Sequence, residues 1–396
     1  MGTPPPLASR LAGIPPTVFS EFSALAVRTG AVNLGQGFPD VDGPSSVVER
    51  AVEALRSGAN QYAPGTGVPA LRRAVAAHQL RHHGIELDPD TEVCVTTGAT
   101  EGIAAALLAL VEPGDEVLAL EPSYDSYDAM IAMAGGVRRA VTLRAPAYRL
   151  DADALRAAVG PRTRVLLLNS PHNPTGTVLT RAELAAVAAV AVEHDLVVVT
   201  DEVYEHLVFD DALEPDGHVP LATLPGMRER VLSLSSVGKS WSFTGWKVGW
   251  ATGPAPLVAA VLAAKQWLTF TSGAPLQPAV AHALEHEAAW PRELARDLQR
   301  RRDLLLAGLR GLGLEPRTSE GTYFTVADVE QLGWPDGRAF CLDIAERAGV
   351  VAIPLQGFHG PESQDAGRHL VRWAFCKTPE VIEEGLDRLA RATLTR

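Results

Sequence analysis

One lysine stands in a setting that suits nucleophilic chemistry. Lys239 follows an apolar stretch at residues 231–234 and a small polar turn, and Trp241 and Phe243 come soon after it. Most lysines are solvated surface charges. Burial among apolar and aromatic groups instead favours the neutral amine, which attacks carbonyl carbons. Lys239 is therefore the first candidate for a catalytic group.

Two further charged residues lie in apolar surroundings. Asp201 ends the segment LVVVTD. It is either a helix N-cap or part of a hydrogen-bonded turn, or else a carboxylate held beside a cationic ring nitrogen. Arg372 lies within HLVRWAF, where it either pairs with one of the 47 acidic residues or binds a ligand carboxylate through its planar fork. From the residues alone, both alternatives stay open at both positions.

Two loops have the composition of ligand-binding turns. In NSPHNPTG, the Pro and Gly residues restrict the backbone and hold the amide of Asn173, although a tight strand-to-helix connection has the same composition. In GATEG, at residues 98–102, small residues open a predicted helix whose N-terminus favours a phosphate. Each motif alone is weak evidence for a ligand-binding site.

The elements that position these residues follow an α/β pattern. Ala- and Leu-rich helical windows, such as 101–111 and 181–193, separate short apolar stretches without clean polar alternation. This pattern predicts a mostly parallel sheet covered by helices on both faces. The predicted strands are 93–97, 116–120, 140–143, 165–168, 197–200, 231–234 and 248–251.

Ligands of open parallel sheets bind outside the carboxyl ends of the strands. Five polar segments follow predicted strands and should therefore converge on one crevice. These segments are GATEG, EPSYDSY, NSPHNPTG, DEVYEH and SSVGKSWSFTGWK.

The 396 residues, 46% of them hydrophobic, suffice for a large and a small domain. The predicted division is an N-terminal arm at 1–45 that contributes to the small domain, a large domain at 46–284 and a small αβ domain at 285–396. The Pro-rich start, with prolines at 4–6, 15 and 16, predicts an extended arm before a helix at 18–29.

Composition argues against several functional classes. A net charge of -12 disfavours a nucleic-acid surface. No apolar run approaches the length of about 20 residues that spans a membrane, and no signal peptide is recognisable. Three scattered cysteines predict reduced thiols in a cytoplasmic protein. The 11 histidines show no metal-binding constellation, so we expect packing or surface roles and no metal.

Together the motifs resemble the class I/II aminotransferases of pyridoxal-phosphate (PLP) fold type I. DEVY begins 28 residues after Asn173, Lys239 of SSVGKSWSFTGWKVGW comes 38 residues after Asp201, and the R-x-x-F at Arg372 follows late in the chain. The similarity runs from LGQGFPD at residues 34–40 to about residue 375. The kynurenine/glutamine aminotransferases, which also have cysteine-conjugate β-lyase activity, are similar, as are bacterial methionine and N-succinyldiaminopimelate aminotransferases.

The resemblance implies a role for each candidate. Lys239 would hold PLP as an internal aldimine and then move the substrate Cα proton, and Asp201 would keep the pyridine nitrogen protonated. Lys247 would bind the phosphate in place of the Arg found in many relatives, which retains the charge but loses the planar fork. The other implied cofactor contacts are Ala99, Thr100 and Ser236 to the phosphate, Asn173 and Tyr204 to the O3′ oxygen, and Tyr124 stacked on the ring.

The resemblance also implies substrate and subunit contacts. Arg372 would bind the substrate α-carboxylate near Gly35 and Asn173, and Tyr62 would reach the phosphate of a neighbouring subunit. A homodimer with shared active sites follows. Residues 268–278 hold no basic residue where aspartate-type relatives carry an arginine for a distal carboxylate. Amino-acid donors with neutral, aromatic or sulfur-containing side chains are therefore expected, with a 2-oxo acid as acceptor. The missing arginine also weakens, without excluding, the assignment of N-succinyl-LL-diaminopimelate as the donor, because that molecule has distal carboxylates.

Three alternatives compete with the aminotransferase. A PLP-dependent β-lyase acting on cysteine conjugates or cystathionine would use the same lysine, and products alone distinguish it. A nucleotide hydrolase is suggested by Gly238-Lys239-Ser240, which matches the end of a phosphate-binding P-loop. That motif also needs a glycine at the position of Ser233. A PLP-binding transcriptional regulator needs an additional helix-turn-helix module, for which some 30 residues before LGQGFPD are too few. The sequence leaves the physiological donor, acceptor and pathway open.

Overall fold

A computed structural model describes residues 8–12, 14, 16–214 and 217–396. Of the predicted arm, the prolines at 4–6 and 15 lie outside the described residues. The α-helices are α1 Ser9–Ala12, α2 Val18–Thr29, α3 Ser45–Arg56, α4 Pro69–His83, α5 Gly98–Leu110, α6 Ser126–Met133, α7 Ala152–Ala158, α8 Arg181–Glu193, α9 Val237–Ser240, α10 Ala255–Leu268, α11 Gln277–His286, α12 Trp290–Gly311, α13 Gly337–Arg347 and α14 Pro379–Arg391.

Within the described residues, the strands form three sheets. They are β1 Val32–Asn33, β2 Val93–Thr96, β3 Glu116–Glu121, β4 Val137–Thr142, β5 Thr163–Asn169, β6 Val197–Asp201, β7 Val231–Ser236, β8 Gly249–Thr252, β9 Phe324–Asp328, β10 Val350–Val351, β11 Ile353–Pro354 and β12 Leu370–Ala374. Short 3₁₀ helices occupy Leu221–Thr223, Thr244–Trp246, Ala274–Leu276, Glu330–Leu332, Leu355–Phe358 and Gln364–Gly367.

The large sheet has seven strands in the order β2-β8-β7-β6-β5-β3-β4. Strands β3 to β7 pair in parallel, whereas β8 runs antiparallel to both neighbours. Each predicted strand falls on one strand of this sheet, so the mixed α/β, mostly parallel architecture is confirmed. Strand β8 reverses direction because only the four-residue helix α9 and a 3₁₀ turn separate it from β7, which leaves no crossover helix to return the chain.

Helices cover both faces of this sheet. Leu166 and Leu168 of β5 pack in one core with Leu184 of α8, while Leu167 packs in another with Ile103 of α5. Successive residues of a strand point to opposite faces. Strands buried on both sides need no polar alternation, which explains their nearly continuous apolar sequences.

The strands outside the large sheet come from both ends of the chain. Strands β11, β12 and β9 form an antiparallel sheet, and β1 pairs in parallel with β10. Residues 32–33 therefore pair with residues 350–351 from the C-terminal part. The domain boundaries at 45/46 and 284/285 stay a prediction. No helix in the described ranges combines the length and apolar character needed to cross a membrane.

Candidate active site

A cavity of about 1050 Å³ receives residues from all five polar segments. Its wall includes Lys239 from α9, Asp201 from the end of β6 and Arg372 from β12. The other predicted residues on its wall are Ala99, Thr100, Tyr124, Asn173, Tyr204, Ser236 and Lys247. The predicted convergence on one crevice is therefore present in the structure.

Lys239 lies in α9, directly after β7, and is half-buried. Its Nζ donates to the Tyr323 hydroxyl at 2.9 Å and to the Gly37 carbonyl at 3.4 Å. Within the described ranges, no carboxylate lies within salt-bridge distance of this amine. Burial lowers the pKa of Lys239 to about 8, although the negative charges of Cys376 and Asp201, when ionised, oppose that shift. A substantial fraction of the amine is thus neutral near physiological pH.

Asp201 ends β6 and is buried. Its carboxylate accepts a hydrogen bond of 2.6 Å from the Tyr127 hydroxyl and one of 3.3 Å from the Val203 amide. Burial raises the pKa of this carboxyl, and the two hydrogen bonds oppose the rise. No cation of the described chain contacts Asp201 within 4.0 Å, so the carboxylate is available to a cationic ligand. Asp201 also takes part in a hydrogen-bonded turn, because it accepts from the amide two residues later. No helix of the described residues begins directly after it, so it is not a helix N-cap.

Arg372 is 1% exposed and comes from the middle strand of the small antiparallel sheet. It donates to the Asn173 side-chain oxygen at 2.9 Å and to the Gly35 carbonyl at 2.6 Å. Aromatic rings of Phe19, Phe324 and Phe358 lie 3.9–4.9 Å from the guanidinium carbon. All of these partners are neutral.

The internal ion pair considered for Arg372 is therefore not formed within the described residues. Burial lowers the pKa of Arg372 to about 10, yet the guanidinium stays charged at neutral pH. Its Nε is buried without a hydrogen-bond partner among the described atoms. A buried cation with unused donors on a cavity wall is a binding site for an anion.

Asn173 is held by its own loop. Its backbone amide donates to the Asn169 side chain at 2.8 Å, and the Asn169 side-chain amide donates to the Asp201 carbonyl at 2.8 Å. Because its side-chain oxygen accepts from Arg372, its NH₂ group is left to donate toward the cavity. The NSPHNPTG loop thus joins the Asp201 and Arg372 ends of the site.

The N-terminus of α5 forms an anion cradle. Gly98 opens the helix with φ +70°, and a Cβ at this position would come within 3.1 Å of the Lys247 Nζ. That Nζ donates to the Thr100 hydroxyl at 3.3 Å, and Ala99 lies between Gly98 and Thr100. Backbone amides at a helix start and a nearby ammonium suit a phosphate. Ser236, at the end of β7, lies on the same cavity wall.

The three predicted tyrosines are placed differently. Tyr204 is 3% exposed, and burial raises its pKa. Tyr124 is half-buried, with its ring 6.1 Å from that of Phe19. Tyr62 is 82% exposed, packs edge-on against Phe270 at 5.3 Å, and is not among the described residues that line the cavity. A contact between Tyr62 and a second subunit stays a prediction.

Sequence reasoning missed two tyrosines of this site. Tyr127 lies three residues after Tyr124 in EPSYDSY, where helical spacing was an available signal for a second inward-facing ring. Tyr323 contacts Lys239 from the segment before β9, 84 residues away in sequence. No local pattern indicates that contact.

Residues 29–389 match the family described as aminotransferase class I and II. The chain belongs to this family. A probable N-succinyldiaminopimelate aminotransferase, DapC, of Mycobacterium tuberculosis is 54% identical over 390 residues, covering 96% of this chain and 97% of the relative. The methionine aminotransferase of Escherichia coli is 40% identical over 382 residues, covering 96% and 97%. Mouse kynurenine–oxoglutarate transaminase 3 is 35% identical, covering 95% and 88%.

Solved structures agree with this membership. The M. tuberculosis N-succinyldiaminopimelate aminotransferase structure superposes with a TM-score of 0.94, covering 98% of this chain and 100% of that chain at 54% identity. Thermus thermophilus aspartate aminotransferase with maleate gives 0.89, covering 98% and 99% at 34% identity. The chain is therefore a fold type I aminotransferase that moves an amino group between an amino acid and a 2-oxo acid.

Proposed function

We propose that this aminotransferase uses pyridoxal 5′-phosphate and binds its amino-acid substrate through Arg372. The described residues fit the cofactor at three separate points. Lys239 offers a partly neutral amine, Asp201 offers a buried carboxylate without a cationic partner in the described chain, and Gly98 opens a helix N-terminus beside the Lys247 ammonium. When bound, PLP withdraws electrons from the substrate α-carbon.

The observation that carries the substrate proposal is the buried charge of Arg372. Its contacts within the described chain are neutral oxygens and aromatic faces. Two of its N–H groups are used by Asn173 and Gly35, which leaves three of the five donors of a guanidinium for an incoming carboxylate. A bidentate pair orients the substrate, so that its α-carbon faces one fixed group.

That group is Lys239. Its lowered pKa of about 8 lets the amine accept and return a proton near neutral pH. The Tyr323 hydroxyl, which receives a hydrogen bond from Lys239 at 2.9 Å, itself donates to the Gly37 carbonyl at 2.6 Å. This chain of hydrogen bonds holds the amine at one place on the cavity wall.

The wall beside Arg372 is aromatic. Phe19, Tyr124 and Phe358 all line the cavity, and the Phe19 ring lies 5.6 Å from that of Phe358 and 6.1 Å from that of Tyr124. Such rings favour neutral, aromatic and sulfur-containing substrate side chains. Discrimination among these amounts to about 1–3 kcal/mol per contact.

A second candidate substrate is N-succinyldiaminopimelate, which appears in the name of the 54% identical relative. Arg338 also lines the cavity, where it donates to both oxygens of Glu21 at 2.9 and 2.6 Å. Both side chains are about half exposed. A distal carboxylate of the substrate would take the place of Glu21 on this guanidinium. Arg338→Gln should then lower kcat/KM for the succinylated donor and leave kcat/KM for methionine unchanged. An equal fall in kcat/KM for both donors would contradict this assignment.

We further propose a homodimer with shared active sites, located in the cytoplasm as the sequence predicts. Tyr62, Trp267, Leu268 and Phe270 are exposed by 82%, 84%, 47% and 57%. Clusters of exposed aromatic and aliphatic side chains mark surfaces that bind another protein. A second copy of the chain is the occupant that agrees with the predicted reach of Tyr62 to a neighbouring phosphate.

The test of the proposed function is the absorbance spectrum of the purified enzyme during a half-reaction. Adding an amino acid without acceptor should shift the visible cofactor band and release one 2-oxo acid per site. Lys239→Ala should bind PLP and fail to turn over. Absence of a cofactor band after incubation with PLP would refute the proposal. Release of pyruvate and thiol from cysteine conjugates, with the band retained, would favour the β-lyase instead.

A further inference from the structure

A second group of titratable side chains lies outside the candidate active site. Helix α4 contributes His78, His82 and His83, and the segment after β6 contributes Glu205 and His206. We refer to these five residues as the histidine cluster. The described residues that line the active-site cavity include none of them.

Three imidazole rings of the cluster form a triangle. His78 and His82 lie one helical turn apart, with ring centroids separated by 4.6 Å. The His206 ring lies 4.9 Å from each of them. The Nε2 atoms of His78 and His206 are 2.8 Å apart. Two histidines at i and i+4 on one helix face can share one metal ion, and His206 adds a third ligand from another segment.

Glu205 adds a carboxylate that is already oriented. Its two oxygens accept hydrogen bonds from His83 at 2.9 Å and from the Ser235 hydroxyl at 2.6 Å. One ligand atom from each of His78, Glu205 and His206 lies within 4.8 Å of the other two. Hydrogen bonds to the far side of a ligand fix its orientation, and metal sites depend on them.

The contacts of the cluster leave ring nitrogens to a cation. The Nε2 atoms of His78 and His206 meet only each other, at 2.8 Å, and the His78 Nδ1 is buried without a hydrogen-bond partner in the described chain. An imidazole binds a metal ion through the lone pair of an unprotonated ring nitrogen.

We propose that the histidine cluster binds one divalent transition-metal ion of the zinc and cobalt class. His78, His206 and Glu205 supply three ligands. His82 is exposed, and its ring lies 4.6 Å from that of His78 and 4.9 Å from that of His206. It supplies the fourth ligand by rotating toward them and marks the route of entry. Imidazole and carboxylate ligands suit Zn²⁺ and Co²⁺. Because tetrahedral ligands about 2.0–2.1 Å from a metal stand about 3.3 Å apart, the two Nε2 atoms must separate by roughly half an ångström.

The ion would lie next to the phosphate-binding segment. Ser235 donates to Glu205 and directly precedes Ser236, the residue assigned above to the cofactor phosphate. Metal binding at Glu205 is thus connected to the end of β7 by one hydrogen bond.

The experiment is a Co²⁺ titration of the untagged, cofactor-loaded enzyme after treatment with EDTA and desalting. We expect one Co²⁺ per chain, with ligand-field absorbance at wavelengths beyond the cofactor band, and displacement by Zn²⁺. The double variant His82→Asn/His206→Gln should bind Co²⁺ at least about tenfold more weakly. If this variant loses its cofactor band or its thermal transition, His82→Asn alone replaces it, since that side chain is exposed.

A matched control is available on α11. His282 and His286 also lie at i and i+4, with ring centroids 4.6 Å apart and an interplanar angle of 41°, against 44° for His78 and His82. His282→Asn/His286→Asn should retain the bound Co²⁺. Equal affinity in the wild type and the cluster variant, or loss of binding in the α11 variant instead, would overturn the proposal.

Discussion

The contacts of Arg372 predict how much its substitution lowers kcat/KM. We expect Arg372→Gln to remove the charge and the two N–H groups that meet the substrate α-carboxylate. Hydrogen bonds to a charged group each contribute about 1.5–3 kcal/mol, so two of them amount to about 3–6 kcal/mol. With about 1.4 kcal/mol per decade, kcat/KM should fall about 10²- to 10⁴-fold. Arg372→Lys keeps the charge but not the planar two-pronged geometry, so its kcat/KM should fall less than that of Arg372→Gln.

The assay compares an amino acid with the amine that lacks its carboxylate, such as phenylalanine with phenethylamine. The wild-type enzyme should strongly prefer the amino acid, and the variant should lose most of that preference. Substitution also removes the packing of the guanidinium against Phe324, whose ring centre is 3.9 Å away. Thermal unfolding and the cofactor spectrum of each variant therefore accompany the kinetics. An Arg372→Gln enzyme that still prefers phenylalanine as strongly as the wild type would refute the assignment.

Three further predictions address the cofactor side and the subunit contact. Tyr127→Phe removes the 2.6 Å hydrogen bond to Asp201 and should lower kcat about tenfold. The control is Tyr148→Phe, which should leave kcat unchanged because the buried Tyr148 hydroxyl has no partner in the described chain. Equal losses of kcat in the two variants would contradict the role of Asp201. Because burial lowers the pKa of Lys239 to about 8, capture of PLP by the apoenzyme should accelerate as pH rises toward 8 and level off above it; stopped-flow rates that do not change with pH would exclude this. Mixed dimers of Lys239→Ala and Tyr62→Ala chains should be more active than either parent, since one of their two shared sites has both residues intact; activity equal to the parental mean would argue against shared sites.

Much of the fold follows from local sequence patterns. Each of the seven predicted strands lies in the large sheet, because a strand buried on both faces needs a short run of apolar residues and little else. Helix α8 spans residues 181–193, as predicted, and a capping box of Thr180 and Glu183 begins it. These features depend on neighbouring residues and are therefore readable in sequence.

The positions of Lys239 and Asp201 were predictable for the same reason. Each lies at or just after the carboxyl end of a parallel strand, and such ends meet at one edge of a sheet. The order and spacing of the motifs identified the family, which the comparisons confirm. The roles of individual residues remain proposals.

The partners of these residues required the tertiary structure. Among 47 acidic residues, the sequence could not exclude an ion pair for Arg372; the folded chain instead places Asn173, Gly35 and aromatic rings around it. Tyr323 reaches Lys239 across 84 residues. Such contacts depend on how β12 and the segment before β9 pack against the large sheet, and no local pattern encodes that packing.

The histidine cluster shows the same limit. His78 and His206 stand 128 residues apart in sequence, and only the packing of α4 against the segment after β6 brings their ring nitrogens to 2.8 Å. Sequence alone determined the fold class, the family and the strand ends that hold the chemistry, because hydrophobic periodicity and turn residues act locally. Tertiary structure decided which charges stay without a counter-ion and which side chains meet, because those outcomes depend on contacts between distant segments.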